Sequence, residues 1–338
     1  MTRRFFSPKP WRTLCLAVLV TAAQGASALD IRVAHALTDD SHVGRALIKA
    51  GERLAAESQG RLRLKPIGKG AAGNDQQAIQ DAIDGKLEIF ISSTSTIVPV
   101  HKPLAILDTP FLFAQREEAH KLLDGPIGED LLSSASSAGL VGLAFWELGF
   151  RHLTNSVRPV TRMEHLNGLR LRTMPSELAI STFRRLGADA KPLAFSQLHK
   201  ALAEGSFDGQ ENPLPTIVSA NLHQVQKYLT FTRHLYGVYG VMASKKWWNG
   251  LPAADQALLR KVFWDTRTYQ RQESQQASEQ ALGTIKDANV QVTELAVGER
   301  WRMERKLERV IAPIAVQSGM SLWIATANEL GNIRSERK

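Results

Sequence analysis

Hydrophobic positions recur along the chain with two alternating periods. Leu29 to Ala34 alternates as LDIRVA, the period of a strand, and after a polar turn Val43, Leu47, Ala50 and Leu54 fall on one face of a helix over 43–57. RLRLKPI at 61–67 alternates again, GKGAAGND turns, 76–84 is helical and LEIFIS at 87–92 is a third apolar strand. GLVGLAFWELG at 139–149 and GLRLRTM at 168–174 predict further strands, followed by helices over 177–186 and 195–204. The helical pattern then stops at FDGQENPLPT, residues 207–216, where Gly209 and Pro213 argue for a turn. QVQKYLTFT leads through YGVYGVMAS back to strand character, and a second lobe begins near residue 150. From 252 to 290 the pattern is long, polar and helical, and GERWRMERKLERVIAPIA adds a basic helix read as a solvated face. Strands alternating with crossover helices predict an α/β fold with a parallel or mixed sheet and a ligand near strand ends.

Composition changes this picture at the N-terminus. Arg3, Arg4, Lys9 and Arg12 precede an uncharged run from Leu14 to Ala23, and Ala26, Ser27 and Ala28 supply a small-residue cleavage site, the pattern of a secretory signal peptide. The run is about half of the ~20 residues that cross a bilayer, and no later stretch approaches that length without charge. Removing the first 28 leaves 310 of the 338 residues, more than one core usually supports, so two lobes are expected. The one cysteine, Cys15, lies inside the predicted signal, which excludes disulfides, thiolate catalysis and a cysteine zinc site from the mature chain. The net charge of +9 falls to about +5 on cleavage, and the remaining Lys and Arg are interspersed with Asp and Glu, leaving no basic stripe for nucleic acid.

Several motifs carry less chemistry than they suggest. Gly68, Gly70 and Gly73 spell GxGxxG, but after the second strand rather than the first and without an acid about 20 residues on to read a ribose, so a plain glycine turn is expected. The nine histidines give no HExxH, and the serines of ISSTSTI have no GxSxG setting, so neither a metal nor an acyl-transfer site is expected. Asp208 and Glu211 leave a carboxylate pair open as an enzyme alternative. The arginines are more specific. Arg151 stands beyond an apolar strand, and Arg170 and Arg172 alternate with Leu169, Leu171 and Thr173. Arg172 stands at a strand end, where a guanidinium fork holds a planar carboxylate by two charge-assisted bonds or makes a structural ion pair. Phe195, before Ser196, is either a cleft wall or core packing.

GND at 73–75, DTPFLF at 108–113, FWELGFRHLTNSVRPV at 145–160, GLRLRTMPS at 168–176, LGADAKPLAFSQLHKAL at 186–202 and GSFDGQENPLPTI at 205–217 follow one another in a specific order. VQKYLTFTRH, SKKWWNGLP and VQVTELAVGERW continue it. In these pieces the chain resembles the DctP-like extracytoplasmic solute-binding proteins of tripartite ATP-independent periplasmic (TRAP) transporters. The resemblance implies a two-lobed α/β binding protein of the periplasm with an interlobe ligand cleft and a long hinge-associated helix. Two chain crossings then assign 29–148 and 237–276 to lobe I and 149–236 and 277–338 to lobe II. It further implies a non-enzymatic protein without cofactor or metal, expected as a monomer, that passes a small carboxylate to the small and large TRAP membrane subunits. Arg172 is the implied carboxylate ligand, Arg151 a second basic pocket position, Asn212 the pocket asparagine, Phe195 its aromatic and Asn74 a polar first-lobe position. Trp146 and Glu147 are expected to shape the other half of the pocket, Glu147 either accepting ligand hydroxyls or facing solvent at the hinge. The branch resembled points to a C4-dicarboxylate or a sugar acid. A sensory protein that presents the same closed pocket to a receptor is the alternative use.

Overall fold

The structure is a computed structural model and describes residues 1–2 and 28–336; the expected signal peptide therefore lies almost wholly outside the described residues. The chain opens as β1 (Leu29–His35), α1 (His42–Glu57), β2 (Leu62–Ile67), α2 (Asp75–Asp84), β3 (Ile89–Ser93) and α3 (Thr94–Ile97). Next come α4 (Arg116–Asp124), α5 (Pro126–Ser134), the long β4 (Leu140–Asn155), β5 (Arg170–Thr173), α6 (Glu177–Leu186), β6 (Asp189–Pro192) and α7 (Phe195–Ala203). Then follow β7 (Gly209–Asn212), α8 (Leu214–Ser219), the long β8 (Tyr228–Ser244), α9 (Lys245–Trp248), α10 (Ala253–Asp287), β9 (Gln291–Glu294), α11 (Glu299–Ser318) and α12 (Met320–Ser335).

The nine strands of the described residues form one mixed sheet in the order β2-β1-β3-β8-β4-β7-β5-β6, with β9 beside β8. β1, β2 and β3 are parallel, as are β5, β6 and β7, so each lobe is a small crossover unit. β4 and β8 run antiparallel between them and pair from Leu140↔Ser244 to Asn155↔Tyr228, which makes one sheet of two lobes. Both strands are buried almost throughout, because helices cover both faces of the sheet and the alternation of a half-exposed strand is lost.

Val43, Leu47, Ala50 and Leu54 of α1 join the core formed with Ile31, Val33, Trp146 and Phe263, as the helical period predicts. α10 has 35 residues, so it is about 52 Å long. It packs on α1, on β4 and on α8, touching both lobes. Three sequence expectations change. Gly209–Asn212 is a buried strand between β4 and β5 rather than a turn, and Gly209 is required because a Cβ there would lie 2.2 Å from the Thr154 carbonyl oxygen. α12 packs on α4 and α5, with Leu330 and Ile333 in the first-lobe core, although residues 277–338 were expected together in lobe II. The basic helix α11 is not merely solvated, since Met303 and Leu307 anchor it in the second-lobe core. Among the described residues no single helix is long and apolar enough to cross a membrane.

Candidate functional site

The carboxyl ends of β1 and β3 in one lobe face those of β5 and β7 in the other, and two cavities lie between them. The inner one, about 50 Å³, is lined by Asp75 and Thr96 from the first lobe and by Arg172, Phe195 and Asn212 from the second. The outer one, about 220 Å³, is lined by His35, Asn74, Asp75, Ser92, Phe195 and His199. Asp75 and Phe195 line both, so the two spaces meet there. Residues of both lobes line the inner cavity, which has room for roughly three or four water-sized groups.

Arg172 is 1% exposed. Its Nε donates to the Leu193 carbonyl oxygen at 2.8 Å, while Nη1 is buried without a hydrogen-bond partner and no carboxylate among the described residues pairs with it. Burial pulls its pKa down to about 10, against which Glu211 and Asp75 act favourably and Arg151 unfavourably. The neighbouring arginines differ. Arg170, on the outward face of β5, is held by Asp208 through its backbone N and guanidinium. Arg151, in β4, donates to both carboxylate oxygens and to the main-chain oxygen of Glu211 in β7. It reaches the inner cavity as one half of a neutral pair. Burial would raise the Glu211 carboxyl, but Arg151 and a hydrogen bond with His234 at 3.0 Å bring it down to about 2.

The polar run that suggested a catalytic carboxylate pair is therefore neutralised acid by acid: Asp208 by Arg170 at the sheet surface, Glu211 by Arg151 inside it. Asn212 closes β7 and donates through Nδ2 to Gln210 at 2.6 Å, at the edge of the inner cavity. Asn74 caps α2 by accepting from Gln77 N at 2.9 Å, and the glycine turn before it places Gly70 and Gly73 on the outer cavity wall. Phe195 opens α7 and lines both spaces where they meet.

Trp146 and Glu147 lie outside both cavities. Trp146 is core, its Nε1 donating to Phe263 O at 3.3 Å. Glu147 points the other way, accepting from Tyr236 Oη at 2.8 Å and Ser274 Oγ at 3.1 Å and sharing a 2.8 Å hydrogen bond with His120 Nε2. Gln270 of α10 clasps its backbone, accepting from Glu147 N and donating to Glu147 O, each at 2.7 Å. This residue joins β4, β8, α4 and α10 where the chain passes between lobes.

Sequence reading missed Asp75, Ser92 and His35. Ser92 Oγ donates to Asp75 Oδ1 at 2.6 Å, and burial raises the Asp75 carboxyl while Ser92 and Arg172 lower it. His35 is buried with neither ring nitrogen hydrogen-bonded. The available signal was positional: Ser92 and His35 stand at strand ends and Asp75 follows the capping asparagine. Deeper still, Asp108 accepts from Thr94 at 2.8 Å, and burial pushes its carboxyl up to about 7. No cluster of His, Cys, Asp or Glu among the described residues is placed to hold a metal ion.

A single sheet shared by two lobes, with a buried and unpaired cation at the cavity between them, defines a bilobed binding protein for small anions. The chain belongs to the family described as bacterial extracellular solute-binding protein, family 7 (DctP), which it matches over residues 33–317. It is similar to the sugar acid binding protein DctPAm from Advenella mimigardefordensis, solved in complex with galactonate. That likeness has a TM-score of 0.87 at 35% identity, over 90% of this chain and 98% of the other. It is also 32% identical over 277 residues to the 2,3-diketo-L-gulonate-binding periplasmic protein YiaO of Escherichia coli (strain K12), covering 82% of this chain and 84% of that one. A solute-binding protein of Verminephrobacter eiseniae is 36% identical over 234 residues, 69% of this chain and 70% of its own. The chain is thus a TRAP-transporter binding protein for a small organic acid anion, which it delivers to a membrane permease, and not an enzyme.

Proposed function

We propose that the ligand is a sugar acid, a hydroxylated monocarboxylate, held with its carboxylate in the inner cavity and its hydroxylated chain in the outer one. The observation that carries this reading is Arg172, a buried guanidinium with an unpartnered Nη1 and no carboxylate paired with it, at the inner end of a larger cleft of mixed polar and apolar lining. An ion left unpaired in a low-dielectric site is stabilised strongly by an incoming carboxylate, and a guanidinium fork matches the two oxygens. The inner cavity takes a carboxylate and little more. The remainder of the ligand extends past Asp75 toward Asn74, His35 and Ser92, whose polar atoms suit hydroxyls, while Leu37, Phe90 and Ile91 take the carbon side of the chain.

Asn212 and Phe195 complete the inner wall, and Arg151 acts by holding Glu211 and the end of β7 in place. The galactonate bound by the Advenella protein and the diketogulonate named for the Escherichia coli relative belong to this chemical class. Lobe opening about β4 and β8 admits the ligand, and closure presents the loaded form to the TRAP membrane subunits in the periplasm. The test is calorimetry over aldonates, uronates, keto acids and C4-dicarboxylates with the wild type and Arg172→Ala. A sugar acid should bind best, and the substitution should weaken it by about 2–5 kcal/mol. Tightest binding of succinate or malate, or an unchanged affinity in Arg172→Ala, would overturn the reading.

A further inference from the structure

We propose that Asp75 is the charge filter of the cleft: it accepts a hydroxyl of a monocarboxylate ligand and turns away any anion carrying a second carboxylate a few bonds from the first. The inference rests on Arg172 as the carboxylate clamp and deepens that reading.

Asp75 is placed for this by the fold. It is the first residue of α2, lies across the interlobe space from Arg172, and lines both the inner and the outer cavity. The two are close enough for each to influence the other's ionisation. One carboxylate oxygen, Oδ1, is engaged by Ser92 Oγ at 2.6 Å, and Ser92 in turn shares a 2.6 Å hydrogen bond with Thr96. That chain fixes the carboxyl at the junction of the two spaces.

Charge arithmetic gives the selectivity. Arg151 and Glu211 cancel within the sheet, which leaves Arg172 as the cation and Asp75 as the anion at the inner cavity, while Lys69 stands farther out on the wall of the outer one. A carboxylate that docks on Arg172 places the following carbons beside Asp75. Hydroxyls there are donors to an acceptor-only group and gain a charge-assisted bond. A second carboxylate has no proton to give and meets a like charge on the half-buried Asp75, where repulsion is screened less than at a fully exposed surface. Asp75 also has a structural task, as an acid in the first turn of a helix, so stability alone does not separate the two roles.

The separating measurement is a ratio. D-erythronate and tartrate share a four-carbon hydroxylated chain and differ at one end, a hydroxymethyl group against a carboxylate. Calorimetry on wild type, Asp75→Asn and Asp75→Ser, each checked by its thermal melt, gives the tartrate-to-erythronate dissociation ratio. The wild-type ratio is expected to exceed about tenfold, and both variants should reduce it by about tenfold or more, chiefly through gained tartrate binding. A merely structural Asp75 weakens both ligands together and leaves the ratio fixed, which overturns the filter. Failure of the underlying reading looks different: an Arg172→Met chain that keeps its erythronate affinity, or a wild type that binds no aldonate, removes the clamp and this inference with it.

Discussion

Arg151 and Glu211 face each other inside the sheet, both 1% exposed, with Nη2 of the guanidinium 2.9 Å from one carboxylate oxygen and 2.6 Å from the Glu211 carbonyl oxygen. The pair ties β4 to β7 directly beneath the ligand space. It explains why two arginines on the strands that flank β7 behave differently: Arg151 already has its carboxylate, and Arg172 awaits one.

Glu211→Gln should therefore destabilise the fold by about 3–5 kcal/mol, because Arg151 is left buried without its counter-ion. The pH dependence follows from the carboxyl, at about 2 in the fold against 4.5 ordinarily. A depressed folded pKa gives stability that is present above about pH 4.5 and lost as pH falls toward 2, by roughly 3 kcal/mol in all. Urea titrations from pH 7 to 2.5 should show that acid limb in the wild type and a shallower one in Glu211→Gln.

Arg172→Met tests the opposite case. The unliganded protein holds this guanidinium desolvated, with its pKa pulled down to about 10 and Nη1 unpartnered. Replacing it by an apolar side chain of similar length relieves that cost, so the unliganded melting temperature should stay level or rise. Stabilisation by ligand should vanish. A large fall in the unliganded melting temperature would show that Arg172 supports the fold itself.

Asp108 acts with the reverse sign to Glu211. Burial raises its carboxyl from 3.8 to about 7, so the folded chain retains a proton that the unfolded chain releases. Stability is then lost as pH rises from about 4 to 7. Asp108→Asn, which keeps the size and can keep the Thr94 bond, should gain a few kcal/mol at pH 8 and almost nothing at pH 4. Paired denaturation curves at the two pH values measure the difference.

The alternation of strands and helices was legible because it is a local property: α1, α2 and β3 lie within a residue or two of where periodicity puts them. Arg172 was legible as a strand-end guanidinium, though its lack of a partner was not. β7 was hidden. Gln210, Glu211 and Asn212 read as solvent-seeking, yet their partners Thr154, Arg151 and His152 come from a strand some 60 residues earlier, and polarity paired at that distance looks like a loop. Glu147 was misplaced for the same reason, since Gln270 and Ser274 lie more than 120 residues away. Asp75 was concealed by its neighbour, because a capping asparagine already accounts for a polar pair at a helix start.

Glu147→Ala separates a hinge role from a pocket role. The change leaves the Tyr236 hydroxyl without its acceptor and takes a hydrogen-bond partner from His120, and should cost about 2–4 kcal/mol of stability. Because Glu147 lines neither cavity, the order of affinities among hydroxylated and deoxy acids should be unchanged. Calorimetry with D-galactonate and its 2-deoxy analogue decides: a selective loss for the hydroxylated ligand would return Glu147 to the binding site.

The same crossing contains Gly149 opposite Gly237, beside a register shift in β4. Gly149 has φ +103°, a conformation that strains any L side chain, and a Cβ on Gly237 would lie 2.8 Å from Leu148 Cδ2. Neither residue touches the ligand space, so conformational freedom and close strand approach are what glycine supplies there. Hinge positions absorb backbone rotation when lobes open, and this pair stands where both connecting strands pass between them. Gly149→Ala should lower stability by about 1–3 kcal/mol and slow ligand association while leaving the bound contacts intact. Stopped-flow tryptophan fluorescence with D-galactonate measures the rate, and an alanine variant that associates as fast as the wild type would move the hinge to another part of the sheet.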